Sequence, residues 1–280
     1  MTSRTRDHLP SDVGNGSSSS SENPADMART NAEVWAGEDF VDFYASRELR
    51  PVETTLLTRH RDALAGRVLE LGCGAGRLTG HLIELADSVH GLDLSPAMVR
   101  YCRRTYPGAT FSEGDLCDLS RFDAGSFDAV LAPFNVLDVL GDEERRVVLQ
   151  EIHRVLVAGG VLIFSSHNRD HAPRGGAGIR VLLGSPRRPG ESIRNLPRRV
   201  RNRRALRPLE RSEAAYSIRN DQAHDFSLLH YYISRDAQER QLGELGFELV
   251  ECRDLDGGLV PEHAHAARCP ELHYLARALP

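Results

Sequence analysis

The chain has 280 residues and a mass of 31.0 kDa, enough for one α/β domain with an insertion and too short for two large domains. Its net charge is −5 and all 35 basic residues are arginine; the molecule as a whole is therefore no polyanion binder, and Schiff-base, pyridoxal-phosphate and P-loop chemistry, each needing lysine, are excluded. Five cysteines without a C-x-x-C pair (Cys73, Cys102, Cys117, Cys252, Cys269), no signal-peptide core and no apolar run of spanning length lead us to expect a cytoplasmic protein with reduced thiols and no membrane partner.

Residues 1–28 are rich in Ser, Gly, Asn, Pro and Asp, too polar to order themselves, and are expected to be a disordered tail. Residues 29–66 are expected to form an N-terminal helical lid. In it Val34, Trp35, Phe40, Val41, Phe43 and Tyr44 are interrupted by acids, the pattern of one or two short amphipathic helices that either cover an open edge of the core or close over a pocket. A further helix, about Val52 to Leu64, leads through Gly66 into the first strand.

The core is expected over 67–168. It opens with Val68-Leu69-Glu70-Leu71-Gly72-Cys73-Gly74-Ala75-Gly76-Arg77, which reads as a buried strand stopping in a tight turn and feeding a helix of about Arg77 to Ala86. Glycine there permits positive φ and lets a ligand approach closer than a Cβ would allow, and the helix offers its unpaired N–H groups. Arg77 stands where a dinucleotide fingerprint needs its third glycine, so a pyrophosphate ligand is disfavoured.

Ser88 to Ser95 reads as a strand ending in Asp93, where one carboxylate can accept hydrogen bonds from both hydroxyls of a ribose. Ser95 caps a helix whose first residue is Pro96; Met98 on it packs either in the core or near an adenine. A third strand through Ala109-Thr110-Phe111 ends in Glu113-Gly114-Asp115-Leu116. The fourth, Phe127 to Ala132, runs into Pro133-Phe134-Asn135, a loop expected to border ligand and acceptor because open parallel sheets bind beyond the carboxyl ends of their strands. A helix opened by Asp142, Glu143 and Glu144 is expected to stop at Gly159-Gly160, ahead of the strand Val161 to Ser165.

Strands alternating with helices give an α/β fold with a doubly wound, mostly parallel, seven-stranded sheet. Residues 228–280 complete it with a helix of about Arg235 to Leu245 and the antiparallel strands Phe247 to Cys252 and Glu271 to Ala276. Between lies an Arg-rich cap or insertion after strand five, 169–227, where Arg174 to Arg219 holds 13 arginines against three acids. Guanidinium forks there either grip an anionic acceptor or form a solvated face or homodimer contact. Stacking aromatics are nearly absent, so nucleic acid is not an expected partner.

The pattern E-x-G-x-G-x-G over residues 70–76 resembles motif I of the class I S-adenosylmethionine-dependent methyltransferases. Ile152 to Gly160 resembles that family's R-x-L-x-P-G-G lead into strand five, with Ala158 in place of proline. The resemblance spans about residues 30 to 280 and is strongest from 67 to 165. It implies a Rossmann-like methyltransferase fold and S-adenosyl-L-methionine as cofactor, with Glu70 helping to hold its ammonium group, Asp93 the ribose and Asp115 the adenine amino group. The cofactor set is then Glu70, Gly72, Cys73, Gly74, Gly76, Asp93, Leu94, Met98, Asp115, Leu116 and Pro133. Ala132-Pro133-Phe134-Asn135 matches neither the N/D-P-P-Y/F of base-amine methyltransferases nor the Pro-Cys of C5-cytosine enzymes.

Methyl transfer mainly requires alignment of nucleophile and methyl group. A hydroxyl acceptor also needs a base titrating near neutrality, for which histidine is suited; His167 and His230 are the candidates. The expected activity is methylation of a small molecule, on oxygen ahead of nitrogen. The alternatives are a nucleotide-linked, glycan or carrier-bound anionic acceptor, and a non-catalytic adenosine-ligand-binding protein. His263, His265, Cys269 and His273 match no standard zinc spacing, and no metal is expected.

Overall fold

The apolar run Arg67–Leu71 forms β1, buried at four of its five residues, at the centre of the sheet. The computed structural model describes residues 25–35, 41–171 and 189–280. Most of the expected tail, and Arg174, Arg180, Arg187 and Arg188 of the arginine-rich stretch, lie outside the described residues. β1 pairs in parallel with β2 (Ser88–Asp93) on one side and β4 (Phe127–Ala132) on the other. β3 (Thr110–Glu113) extends the β2 side, and β5 (Leu156–Asn168) the β4 side. β10 (Glu271–Ala278) runs antiparallel to β5, and β9 (Phe247–Arg253) antiparallel to β10. The central sheet β3-β2-β1-β4-β5-β10-β9 is the seven-stranded arrangement expected from sequence, and its order reverses between β1 and β4, the switch point at which such sheets open a crevice.

Three further short strands were not legible. The last two residues of β5, His167 and Asn168, pair in parallel with β8 (His230–Ile233), which continues antiparallel into β7 (Tyr216–Arg219) and β6 (Arg211–Ser212). They span two to four residues each, too few for period-two patterning to register.

The helices are α1 (Ala25–Trp35), α2 (Val41–Ala45), α3 (Pro51–Arg59), α4 (Thr79–Leu85), α5 (Pro96–Thr105), α6 (Asp142–Val155), α7 (Pro189–Leu206) and α8 (Arg235–Glu244). Ser95 and Ser234 cap α5 and α8 with their hydroxyls. α1 begins ahead of the boundary placed at residue 28, because Met27 is buried with Leu206, Leu229 and Tyr231. α6 ends at Val155 rather than at Gly159: β5 already pairs at Leu156, and a register shift between Phe127 and Ala129 takes up the residues around Gly159. Among the described residues no helix is long and apolar enough to cross a membrane.

Alternation along the strands sends side chains to two core layers. Leu69, Leu71, Val130, Leu162 and Phe164 meet α6 and α8 residues such as Val148, Ile152 and Leu242 on one face. Val68, Ala129, Leu131 and Ile163 meet Val52, Leu56 and Leu82 of α3 and α4 on the other. Each of the larger side chains among them contributes about 1.5–3 kcal/mol by leaving water, which fixes the strand ends that carry the site.

α7 shows how the arginine-rich stretch is used. One face turns to the turn at 223–226, with Asn195, Arg199 and Asn202 all bonded to Asp225 and Arg203 to the Asn220 carbonyl. The opposite face leaves Arg194, Arg198, Arg201 and Arg204 exposed.

Candidate cofactor and acceptor site

A cavity of about 500 Å³ opens beyond the carboxyl ends of β1, β2, β4 and β5. Its wall brings together Glu70, Gly72, Cys73, Gly74, Asp93, Leu94, Met98, Asp115, Leu116 and Pro133, and on its far side His167 and His230. Of the residues singled out from sequence, Gly76 alone does not line it. The reason is steric: at φ +77°, a Cβ on Gly76 would lie 2.3 Å from the Tyr106 ring, so this glycine serves packing behind the turn.

The three glycines of the turn all take positive φ but for different neighbours. A Cβ on Gly72 would meet Val136 Cγ2 at 2.2 Å, whereas at Gly74 it would meet nothing within 4 Å. Gly74 therefore faces open space in the cavity. Its N–H donates to Asp93 Oδ2 at 2.7 Å, and Ser95 N–H donates to Asp93 Oδ1 at 2.9 Å, which fixes the carboxylate and leaves each oxygen a further lone pair for a ligand. Burial raises the Asp93 pKa, opposed by these two N–H groups. Glu70 is fully buried, receives a hydrogen bond from Thr79 Oγ1, and has its pKa pushed up to about 7 by that burial. No arginine is hydrogen-bonded to it among the described residues, and the Arg77 charge offsets only part of the effect of burial. Asp115 accepts from the Cys117 N–H at 2.8 Å, an Asx turn that holds its carboxylate at the cavity wall.

Arg77, the residue that disfavours a dinucleotide, is bound through both guanidinium nitrogens to Glu53 of α3. Its guanidinium carbon, like that of Arg50, lies over the Phe134 ring, at 5.1 and 4.5 Å. Phe134 and Asn135 occupy the left-handed region at φ +58° and +59°, a conformation that costs about 1–2 kcal/mol per non-glycine residue and that here turns the loop after β4 into the cavity.

Each candidate histidine is held by a carboxylate. His167 Nδ1 is 2.7 Å from Asp138 Oδ2, which also accepts the His167 N–H. Asp138 is in turn paired with Arg145 at 2.7 Å, and neither is exposed. Burial pushes Asp138 up, but His167 and Arg145 outweigh it and hold the carboxyl below its usual range. His230 Nδ1 is 2.9 Å from Asp221 Oδ2, which also accepts the Tyr232 hydroxyl at 2.7 Å. Burial lowers the His230 pKa, yet Asp221 more than compensates and raises it. The two imidazole centroids stand 5.0 Å apart.

Several site residues escaped the sequence reading. Asp138 and Asp221 lie 29 and 9 residues from their histidines, so no local motif marks them. Asn31 of α1 is buried completely and bonds the Val139 and Leu229 carbonyls and the Leu229 N–H, which pins α1 with Ala28, Arg29 and Ala32 against the cavity. Tyr44 meets His224 Nε2 at 3.3 Å, both lining the cavity. No arginine of the described part of the insertion does so; its contributions are Ala223 and His224. The histidines weighed for metal from spacing are dispersed: His263 pairs with Asp236, His265 with Asp170 and His273 with Glu271.

Residues 68–160 match the family model described as "Methyltransferase domain". A probable S-adenosylmethionine-dependent methyltransferase from Mycolicibacterium smegmatis is 41% identical over 106 residues, covering 38% of this chain and 40% of that protein. A ubiquinone biosynthesis O-methyltransferase from Xanthomonas oryzae pv. oryzae is 30% identical over 128 residues, 44% of this chain and 52% of the relative. This chain thus spans about half or less of the length of these relatives. Among solved structures, the 1,6-didemethyltoxoflavin-N1-methyltransferase of Burkholderia thailandensis, with 1,6-didemethyltoxoflavin and S-adenosylhomocysteine bound, superposes with TM-score 0.59 at 16% identity over 92% of this chain and 91% of that one. The CcbJ methyltransferase from Streptomyces caelestis superposes with TM-score 0.57 at 17% identity over 88% and 98%. The fold is that of the Rossmann-like methyltransferases.

Proposed function

We propose that this chain, with its methyltransferase domain at residues 68–160, transfers the methyl group of S-adenosylmethionine to a hydroxyl oxygen of a small-molecule acceptor. The cofactor occupies the cavity wall from Glu70 to Asp115: its ammonium beside Glu70, its ribose hydroxyls on Asp93, its adenine near Met98, Asp115 and Leu116. The ligand's cation would give Glu70, a fully buried acid hydrogen-bonded among the described residues only to Thr79, a charge partner in direct contact.

The observation that carries oxygen as the acceptor atom is the His230–Asp221 pair. With Nδ1–H donated to Asp221, Nε2 keeps its lone pair, and it has no hydrogen-bond partner among the described residues. In the reaction Nε2 takes the acceptor's hydroxyl proton, the oxygen forms its bond to the methyl carbon, and the carbon–sulfur bond breaks with its electron pair leaving on the neutral thioether of S-adenosylhomocysteine. The resulting imidazolium is stabilised by Asp221 and later releases the proton to solvent. His167, oriented by Asp138, borders the same space.

Calorimetric titration of the purified chain with S-adenosylmethionine, S-adenosylhomocysteine and NADH tests the cofactor. Binding of the first two without the third supports the reading; binding of NADH, or of none, sinks it. S-adenosylhomocysteine release in the presence of hydroxylated and amine acceptors then tests the atom, and turnover of amines alone would reject oxygen.

A further inference from the structure

The two histidines are close enough to act on one acceptor together. A nitrogen of each ring and a carboxylate oxygen of Asp221 lie within 4.8 Å of one another, and the rings are inclined by only 38°. One histidine suffices as a base for one hydroxyl, so the second has no task in a simple transfer. His167 Nε2 meets only the Asn135 amide, at a long 3.3 Å. Asn135, nine-tenths buried at the cavity wall, leaves its Oδ1 without a partner among the described residues. A buried acceptor left unpaired is destabilising, and a second O–H group on the ligand would relieve it.

We propose, on the basis of the methyl-transfer reading above, that the acceptor carries two hydroxyls on adjacent carbons. One gives its proton to His230 and is methylated; the other donates to His167 Nε2 or to Asn135 Oδ1 and fixes which oxygen faces the methyl group. Two such oxygens stand about one hydrogen-bond length apart and the two imidazole centroids 5.0 Å apart, so each hydroxyl can face one ring at normal O–H···N geometry. A lone hydroxyl engages only one of them. His230 is the catalytic residue in this scheme and His167 the specificity-determining one.

The test uses the full chain in buffer containing a chelator, with catechol, resorcinol and phenol as probes. Binding of each is measured by calorimetry with S-adenosylhomocysteine present, and methyl transfer by mass spectrometry with S-adenosylmethionine. Catechol is expected to be methylated at least tenfold more efficiently than resorcinol or phenol. His167→Ala should bring catechol down to the phenol level, and His230→Gln should remove transfer to all three, with S-adenosylhomocysteine affinity kept as the check on folding. If His167→Ala loses that affinity, His167→Gln takes its place. Equal use of the three probes, no binding of catechol, or a preference that appears only on adding a divalent metal overturns the inference. Absence of cofactor binding in the unsubstituted chain overturns it together with the methyl-transfer reading, whereas intact cofactor binding with no preference overturns it alone.

Discussion

The backbone N–H of Gly74 donates to Asp93 Oδ2 at 2.7 Å, tying the turn after β1 to the end of β2. Asp93→Ala removes this bond, the Ser95 bond and the proposed seat of the ribose together. Hydrogen bonds to a charged partner contribute about 1.5–3 kcal/mol each, so loss of even one should lower S-adenosylmethionine affinity at least about tenfold, measured by calorimetry. An unchanged affinity would place the ribose elsewhere.

Gly72→Ala and Gly74→Ala should separate stability from binding. At Gly72 the new Cβ meets Val136 at 2.2 Å with φ +60°, and overpacking of this kind costs about 1–3 kcal/mol, visible as a lowered melting temperature. Gly74→Ala meets open space and carries only the left-handed backbone cost of about 1–2 kcal/mol, but its methyl intrudes on the cavity. Its loss of cofactor affinity should exceed its loss of stability.

Glu70, with its pKa pushed up to about 7 by burial, is expected to couple cofactor binding to pH. The ligand's ammonium favours the ionised carboxylate, so affinity should rise as pH increases toward and through about 7. Glu70→Gln should flatten that dependence and weaken binding at neutral pH. A wild-type affinity independent of pH across this range would remove Glu70 from the cofactor site.

His230 must be neutral to accept a proton, and Asp221 raises its pKa above the ordinary 6.5. The rate of methyl transfer should therefore climb with pH through a midpoint above that value. Asp221→Asn withdraws the cause of the rise and should move the midpoint down while lowering the maximal rate. The same shift has a stability consequence of opposite sense: protonated His230 stabilises the fold below its unfolded pKa, and that contribution disappears as pH rises through the folded value.

Arg145, unexposed and paired with Asp138, also donates to the Gln238 side chain at 2.8 Å. Arg145→Met leaves Asp138 buried without its cation, at a cost of about 3–5 kcal/mol, measurable by denaturant unfolding. Adding Asp138→Asn should recover part of that loss. Asp138 has a folded pKa below its ordinary 3.8, so its stabilisation is present above the usual carboxylate range and is lost as pH falls toward the folded value. Arg145→Met should shrink this acid-side loss.

The division between what the sequence by itself determined and what only the tertiary structure decided follows the range of the interactions. Glu70, Gly72, Gly74, Asp93 and Asp115 were legible because each sits at a strand end, and a strand's direction, its length and the glycine that stops it are written in consecutive residues. The seven central strands followed from the same alternation. The partners of the histidines were not legible: Asp138 reaches His167 across 29 residues, and Asn31 reaches Leu229 across 198, contacts that form only when β5, β8 and α1 converge. Nor could composition apportion the arginines of α7, since the helix has to dock before Arg199 meets Asp225 while Arg198 points away. Short-range sterics and hydrogen bonding place a nucleoside-sized pocket in the sequence; the long-range packing of the sheet's far edge determines which side chains face it.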